Sequence, residues 1–229
     1  MQINKSNEIS QINLDFFLSS SCFVDYLQRV RKHGGKILSI NLFDIKRTQN
    51  AFHSAVAEIA LQFKSGEIQV RNVFLRGKSV VIIPYFLSKA SISLLLVRQN
   101  RISLGGASLE FPAGGIEPQE SSEKAAKREI FEETGIKIDS EKLLLLETDF
   151  LVCESAFTES VSWYSYELSE KEARKSSATK SSCGVDPEIL QTYLISYEQA
   201  KKIKTFQIHC GLSLLFNALP KIKDYQKDI

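Results

Sequence analysis

The chain is short of the residues that mark several common kinds of protein. It has four cysteines in 229 residues, Cys22, Cys153, Cys183 and Cys210, and no two form a C-x-x-C pair. That spacing argues against a zinc site or a dithiol redox motif, and scattered thiols read as reduced cysteines of a cytoplasmic protein. The three histidines, His33, His53 and His209, show no ligand spacing and read as core or surface residues. Neither sign of charge is in excess. Lys and Arg number 29 against 27 Asp and Glu, a net +2 that gives no electrostatic case for DNA or RNA. No apolar run approaches the roughly 18 residues of a membrane span. Met1 to Asp15 lacks a basic segment followed by an apolar one, so no secretory signal is read there. The expectation is a soluble cytoplasmic protein that binds neither nucleic acid nor membrane. Internal repeats and low-complexity tracts are also missing.

What is present is 43% apolar residues, enough for a real core. The spacing of Phe16, Phe17, Phe23, Tyr26, Leu27 and Val30 predicts one helix over 14–31, stopped by Gly34 and Gly35. Strands are expected at 36–43, 68–75, 80–86, 92–97, 108–111, 142–150, 161–168 and 190–195. The stretch 52–63 is ambiguous, because its alanines favour helix and its neighbours favour strand. Residues 169–185, rich in Ser, Lys and Glu, read as a mobile surface loop. A short helix capped by Ser196 covers 196–203, and an amphipathic helix over 207–219 ends at Pro220. This order predicts an α+β fold: a mixed sheet covered by helices on both faces over 79–222, and a smaller β-rich subdomain over 1–78. Residues 223–229 form a tail.

The chemistry concentrates in GGIEPQESSEKAAKREIFEETGI, residues 114–136. Pro118 suits the turn before a helix. Ser121 or Ser122 can cap, Glu123 favours the positive end, and Gly135 is placed for a left-handed stop. On that helix Glu129 and Glu133 are four apart and share a face, with Glu132 at its edge. Carboxylates crowded in this way repel unless a cation neutralises them, and oxygen-only ligands select Mg²⁺ or Mn²⁺ over zinc. Arg128 is placed to orient Glu132, and Glu120 to hold Arg128 from the other side. Ala125, small and four before Glu129, leaves room for a phosphate and its metals. Three glutamates on a helix would by themselves read as a solvated acidic face.

The whole string, however, resembles the Nudix box, G-x5-E-x7-R-E-U-x-E-E-x-G-U with U a bulky aliphatic residue. Gly114, Glu120, Arg128, Glu129, Ile130, Glu132, Glu133, Gly135 and Ile136 fill every fixed position. The resemblance implies an α/β/α sandwich whose box is a loop–helix–loop. It implies hydrolysis of a nucleoside diphosphate linked to another group, with divalent ions on the diphosphate oxygens. Glu129 and Glu133 would be the main metal carboxylates. Glu132 would support them, the Ala113 carbonyl would add a ligand, and Glu120 with Arg128 would form an orienting ion pair.

The flanks V-R-Q-N-R (97–101) and L-E-F-P-A-G (109–114) look like the ADP-ribose and ADP-sugar pyrophosphatase branch. The Asp186-Pro187-Glu188 segment and the N-terminal extension fit it too. That resemblance makes Arg98, Arg101 and Glu110 candidate substrate contacts, the arginines as phosphate clamps. It also implies a homodimer built through the N-terminal strands. One departure stands out. The branch carries P-S-x-G-x-[ST]-x-E after the box, whereas residues 153–160 read CESAFTES. Glu159 or Glu154 could replace the usual base, or water activation could fall to the metal alone. Phe86, Phe111, Phe157 and Tyr164 are the candidate base-stacking rings. GDP-mannose, NADH and dinucleotide polyphosphates remain alternative substrates, and a non-catalytic nucleotide-sensing module a different class of reading.

Overall fold

The computed structural model describes residues 1–48, 52–88, 91–176, 180–181 and 190–219. Two compact units are distinguished. The first comprises Met1–Lys78, Ile116–Gln119 and Asp149–Val161. Its elements are β1 (Gln2–Lys5), α1 (Gln11–Ser19), α2 (Ser21–Lys32), β2 (Lys36–Arg47), β3 (Phe52–Gln62) and β4 (Ile68–Arg76). The sheet order is β1-β2-β3-β4, with β1 parallel to β2 and the other pairs antiparallel.

Two sequence expectations are settled differently here. The single helix over 14–31 is two helices, because Ser20 sits at an extended φ of −68° and ψ of 145° between them. Its hydroxyl accepts from the Phe23 amide to start α2 and donates to the Phe17 carbonyl to end α1. A run of three serines gives the backbone such alternatives to a continuing helix. The ambiguous 52–63 stretch is strand. Ala55, Ala57 and Ile59 are buried in alternation on β3, so the period-two burial outweighs the helix propensity of alanine. These side chains pack with Phe17, Phe23, Ile40, Leu42 and Leu75 into one core.

The second unit comprises Ser79–Gly115, Glu120–Thr148 and Ser162–Ile229. In it β5 (Ser79–Leu87) pairs antiparallel with β6 (Ile92–Arg101). Two short strands follow, β7 (Gly106–Glu110) on β6 and β8 (Ala113–Gly115) on β5, and β8 was not foreseen. After α3 (Ser122–Thr134) come β9 (Leu143–Leu151), β10 (Ser160–Glu167), α4 (Glu170–Ser176), β11 (Lys180–Ser181), β12 (Leu190–Ser196), α5 (Tyr197–Ala200) and α6 (Phe206–Ala218). The sheet runs β11-β12-β6-β5-β10-β9. Ile82, Ile83 and the run from Leu94 to Val97 are fully buried, as expected of strands covered on both faces. At the close approach of α6 to the core, a Cβ on Gly211 would stand 2.6 Å from the Phe111 ring, so only glycine fits there.

The loop expected over 169–185 begins instead with α4. Ser169 and Glu172 cap it reciprocally. The Glu172 amide donates to the Ser169 hydroxyl at 3.3 Å, and Glu172 accepts from the Ser169 amide at 2.8 Å. This is the S-x-x-E capping box, hidden in a polar stretch. Cys183, the Asp186-Pro187-Glu188 segment, Pro220 and the 223–229 tail lie outside the described residues. The architecture is a mixed α+β fold with two sheets, as the element order predicts. Among the described residues no helix is long and apolar enough to cross a membrane.

Candidate active site

The candidate site is assembled in the second unit by α3 and β8. Ser121 caps α3 by accepting from the Lys124 amide, and Glu123 lies in the first turn against the helix dipole. Gly135 ends the helix at φ 70°, its amide donating to the Phe131 carbonyl. β8 runs antiparallel to β5, with Gly114 opposite Val80 and Ala113 opposite Val81. That pairing brings the β8 backbone directly under the helix carboxylates. A Cβ on Gly114 would lie 2.0 Å from the Glu129 Cδ, so the absent side chain is the space that the Glu129 carboxylate occupies.

Arg128 organises the acidic face. Its Nε and Nη2 donate to the two Glu120 oxygens at 3.0 and 2.9 Å, and Nη2 also donates to the Gly115 carbonyl at 2.8 Å. Nη1 reaches Glu129 at 2.6 Å and Glu132 at 3.4 Å. The bonds to Glu120 above all hold the guanidinium charged, well above the ordinary arginine range. Glu133 is 6% exposed. Its Oε1 accepts from Gln99 Nε2 at 3.0 Å, and its Oε2 from the Ala113 amide at 3.2 Å. Burial, reinforced by the Glu129 charge, pushes the Glu133 carboxyl up to about 8. Burial also raises Glu129, against the pull of Arg128.

Among the described residues no three acidic, histidine or cysteine side chains already converge as a metal cage. The hydrogen bonds explain this. Arg128 draws Glu129 and Glu132 to one side, while Gln99 and Ala113 hold Glu133 on the other. The donor set still fits a hard divalent cation, since it offers three carboxylates and the Ala113 carbonyl.

The remaining sequence candidates fall in two places. On β6, Arg98 is exposed and pairs in register with Leu109. Arg101 grips Glu110 through Nε at 2.9 Å and Nη2 at 2.5 Å, so these two are brought together with each other. Glu159 and Glu154 belong to the first unit. Glu159 is buried and stands 3.7 Å from Arg76, whereas Glu154 is exposed. Of the aromatic candidates, Phe111 is 1% exposed and Tyr164 is buried with its hydroxyl on Ser122 at 2.7 Å. Both are core residues with no free ring face for a base. Phe86 is half-buried, and Phe157 is 40% exposed and packs on Phe74.

Gln99 is the contact that sequence reasoning missed. Strand alternation was the available signal, because residues 97, 99 and 101 of β6 share a face. That face meets Glu110 opposite Val97.

Comparison with known proteins bears on the family and the fold. The curated ADP-sugar pyrophosphatase of Mus musculus is 57% identical over 44 residues, which span 19% of this chain and 20% of that protein. The chain thus covers about a fifth of that relative's length. A crystal structure of an ADP compounds hydrolase superposes with a TM-score of 0.57 over 82% of this chain and 95% of that one. Its identity is 21%, so it speaks to the fold. The NUDIX domain model matches residues 75–209, more than half of the chain and all of the α3 acidic face, and on that match the chain belongs to the Nudix family.

Proposed function

We propose that this chain is a pyrophosphohydrolase that cleaves the diphosphate of ADP-ribose or an ADP-sugar, giving AMP and a sugar phosphate. The observation that carries the reading is Glu133, a carboxylate buried to 6% exposure whose charge is opposed by that of Glu129. Two crowded carboxylates that burial opposes are costly to keep charged unless a cation completes them. The names of the partial relative and of the structural neighbour support the ADP side of the substrate. Glu129, Glu132, Glu133 and the Ala113 carbonyl would hold Mg²⁺, or Mn²⁺ in its place. When bound, the cation supplies charge neutralisation at the diphosphate and acidifies water. Arg128, locked by Glu120, orients Glu129 and Glu132. Arg98 and Arg101 meet the substrate phosphates, and Glu110 fixes the Arg101 guanidinium.

The test is a hydrolysis panel of ADP-ribose, ADP-glucose, GDP-mannose, NADH and diadenosine polyphosphates, with Mg²⁺ and with chelator. ADP-ribose or ADP-glucose should turn over fastest, and chelator should abolish the activity. Hydrolysis of none of the five would overturn the enzymatic reading in favour of nucleotide sensing.

Glu159 is the proposed base. Glu159→Gln is expected to slow hydrolysis by ~10²-fold or more, and Glu154→Gln much less. Near-normal rates for both variants would remove a side-chain base from the 153–160 loop.

Metal removal has a pH signature. The folded carboxyl of Glu133 titrates near 8 and an unperturbed glutamate near 4.5. The folded state therefore binds the extra proton between those values, and this group's contribution to stability falls as pH rises through the window. Metal-free protein should melt lower at pH 8.5 than at pH 6, and Mg²⁺ should raise the melting temperature more at the higher pH. Glu133→Gln should flatten both trends. An Mg²⁺ shift that is equal at both pH values in the unsubstituted chain would refute the assignment of Glu133 as ligand.

The homodimer is proposed through the first unit. β4 is one edge of its sheet; the 156–158 segment meets it at Phe74, and its first half carries Ile68 and Val70, 54% and 46% exposed. An apolar edge strand invites pairing across a two-fold axis. Light scattering at micromolar concentration should give twice the chain mass of 25.8 kDa, and a single-chain mass would exclude the dimer.

A further inference from the structure

A cavity lies among residues of the first unit alone. It measures about 310 Å³ and opens between α2, the end of β4 and the 149–160 hairpin. That volume is at the lower end of small-molecule sites, which run from roughly 300 to 1,000 Å³. Its floor is fixed. The Thr158 hydroxyl donates to the Arg76 carbonyl and accepts from the Arg76 amide, both at 3.0 Å, and lies 3.9 Å from the Cys22 sulfur. The Thr158 amide and the Phe74 carbonyl tie the hairpin to β4 at 3.1 Å.

Four cations from three segments converge on this cavity: Arg29, Lys32, Arg76 and Lys78. Their carboxylate contacts are loose. Lys78 stands 3.3 Å from Asp149 and 3.7 Å from Asp25, and Arg76 stands 3.7 Å from Glu159. Charge-assisted bonds run at roughly 2.7–2.9 Å, so none of these contacts is closed. Arg29 is half-buried and donates at 2.6 Å to the Thr158 carbonyl, a neutral acceptor. Among the described residues neither Arg29 nor Lys32 makes an ion pair. Asp25 and Asp149 line the cavity too, two carboxylates against the four cations, and Asp149 holds a left-handed φ of 53°, a setting of the kind that gathers at ligand clamps. The C-terminal end of α2 is partially negative, which accounts for basic residues in its last turn. It does not account for Arg76 and Lys78, which arrive from β4 and the segment after it.

The geometry points to an anion site in this cavity, with Arg29 and Lys32 on one wall and Arg76 and Lys78 on the other taking the phosphate of a small phosphomonoester or free inorganic phosphate. A guanidinium already anchored to the floor offers its remaining donors as a fixed fork, which suits a tetrahedral oxyanion. No residue of the α3 box is among those lining the cavity, and its occupant need not be a diphosphate.

Calorimetry on the full chain, without divalent metal and at constant ionic strength, tests this with ribose 5-phosphate and inorganic phosphate as probes. Saturable one-to-one binding is expected. Arg29→Gln and Lys32→Glu should each weaken it ~10-fold or more, and Glu133→Gln should leave it unchanged. Lys32 is exposed, so its variant keeps the test decisive if Arg29→Gln fails to fold. Tighter binding of ribose 5-phosphate assigns the site to a phosphomonoester, and equal binding assigns it to free phosphate. Either result upholds it. Three results would overturn it: no saturable heat, unchanged affinity in Lys32→Glu, or loss of binding in Glu133→Gln.

Discussion

Glu133→Gln is expected to lower turnover by at least ~10³-fold while the chain still folds. A thousandfold corresponds to about 4 kcal/mol of lost transition-state stabilisation, the scale on which a metal carboxylate works. The structure explains why folding should survive. Glu133 accepts two hydrogen bonds, from Gln99 and from the Ala113 amide. A carboxamide can accept only one of them through its oxygen, and its amino group then faces a donor. That mismatch costs about 1–3 kcal/mol. Against it stands the relief of removing a charge that burial already opposes, which acts in the stabilising direction above the Glu133 titration near 8. Above that pH the two nearly cancel in stability, and below it the mismatch alone remains, a cost small enough for the chain to fold. Glu132→Gln is the useful comparison, because its side chain is 38% exposed and meets Arg128 at a longer 3.4 Å. It should lose far less. Full activity in Glu133→Gln, with metal dependence intact, would sink the assignment of this carboxylate.

Much of this region was legible because its signals are local. Ser121, Glu123 and Gly135 mark the helix ends in the sequence itself, and the spacing of Glu129 and Glu133 follows from helical geometry. The i,i+4 rule likewise places Arg128 beside Glu132, and a reach of eight residues back to Glu120 is short enough to guess. For Gln99 the alternation of β6 gives the face but not the partner. Its bond to Glu133 joins residues 34 apart, so it forms only once α3 is packed beside β6. The same division runs through the fold. The 92–97 strand was readable from its unbroken apolar run, whereas β3 was not, since its alanines become strand residues only when β2 and β4 flank them. Ser20 and Ser169 show a third kind of miss. Both carry capping signals within the sequence, but apolar spacing in one case and polar composition in the other overrode a hydroxyl that decides the local path. Arg76 and Arg29 attracted no notice in the sequence, because basic residues become a cavity wall only after α2 and β4 are brought to the same place.

Gly114→Ala is expected to separate activity from stability most sharply. A Cβ at this position would sit 2.0 Å from both the Cδ and Oε1 of Glu129, far inside contact distance. The clash is with the far end of a flexible side chain, so the backbone need not move. Gly114 shows no left-handed φ, and alanine can adopt its conformation. The substitution also narrows the unfolded ensemble, which by itself stabilises by about 0.4–1 kcal/mol. The melting temperature should therefore hold or rise slightly. The Glu129 carboxylate, by contrast, must swing away from β8 by an ångström or so, and misplacement on that scale costs on the order of 10²-fold in rate. Its bond to Arg128 Nη1 at 2.6 Å should be lost or redirected, loosening the Glu120–Arg128 clamp as well. The measurements are kcat against Mg²⁺ concentration and a thermal melt on the same sample. The expected result is a fall of ~10²-fold or more in kcat, a higher Mg²⁺ concentration for half-activity, and an unchanged melt. An enzyme that keeps its turnover and its Mg²⁺ response would show that Glu129 does not act from the space above Gly114. A chain that unfolds instead would mean that the backbone of β8, not the carboxylate, gives way.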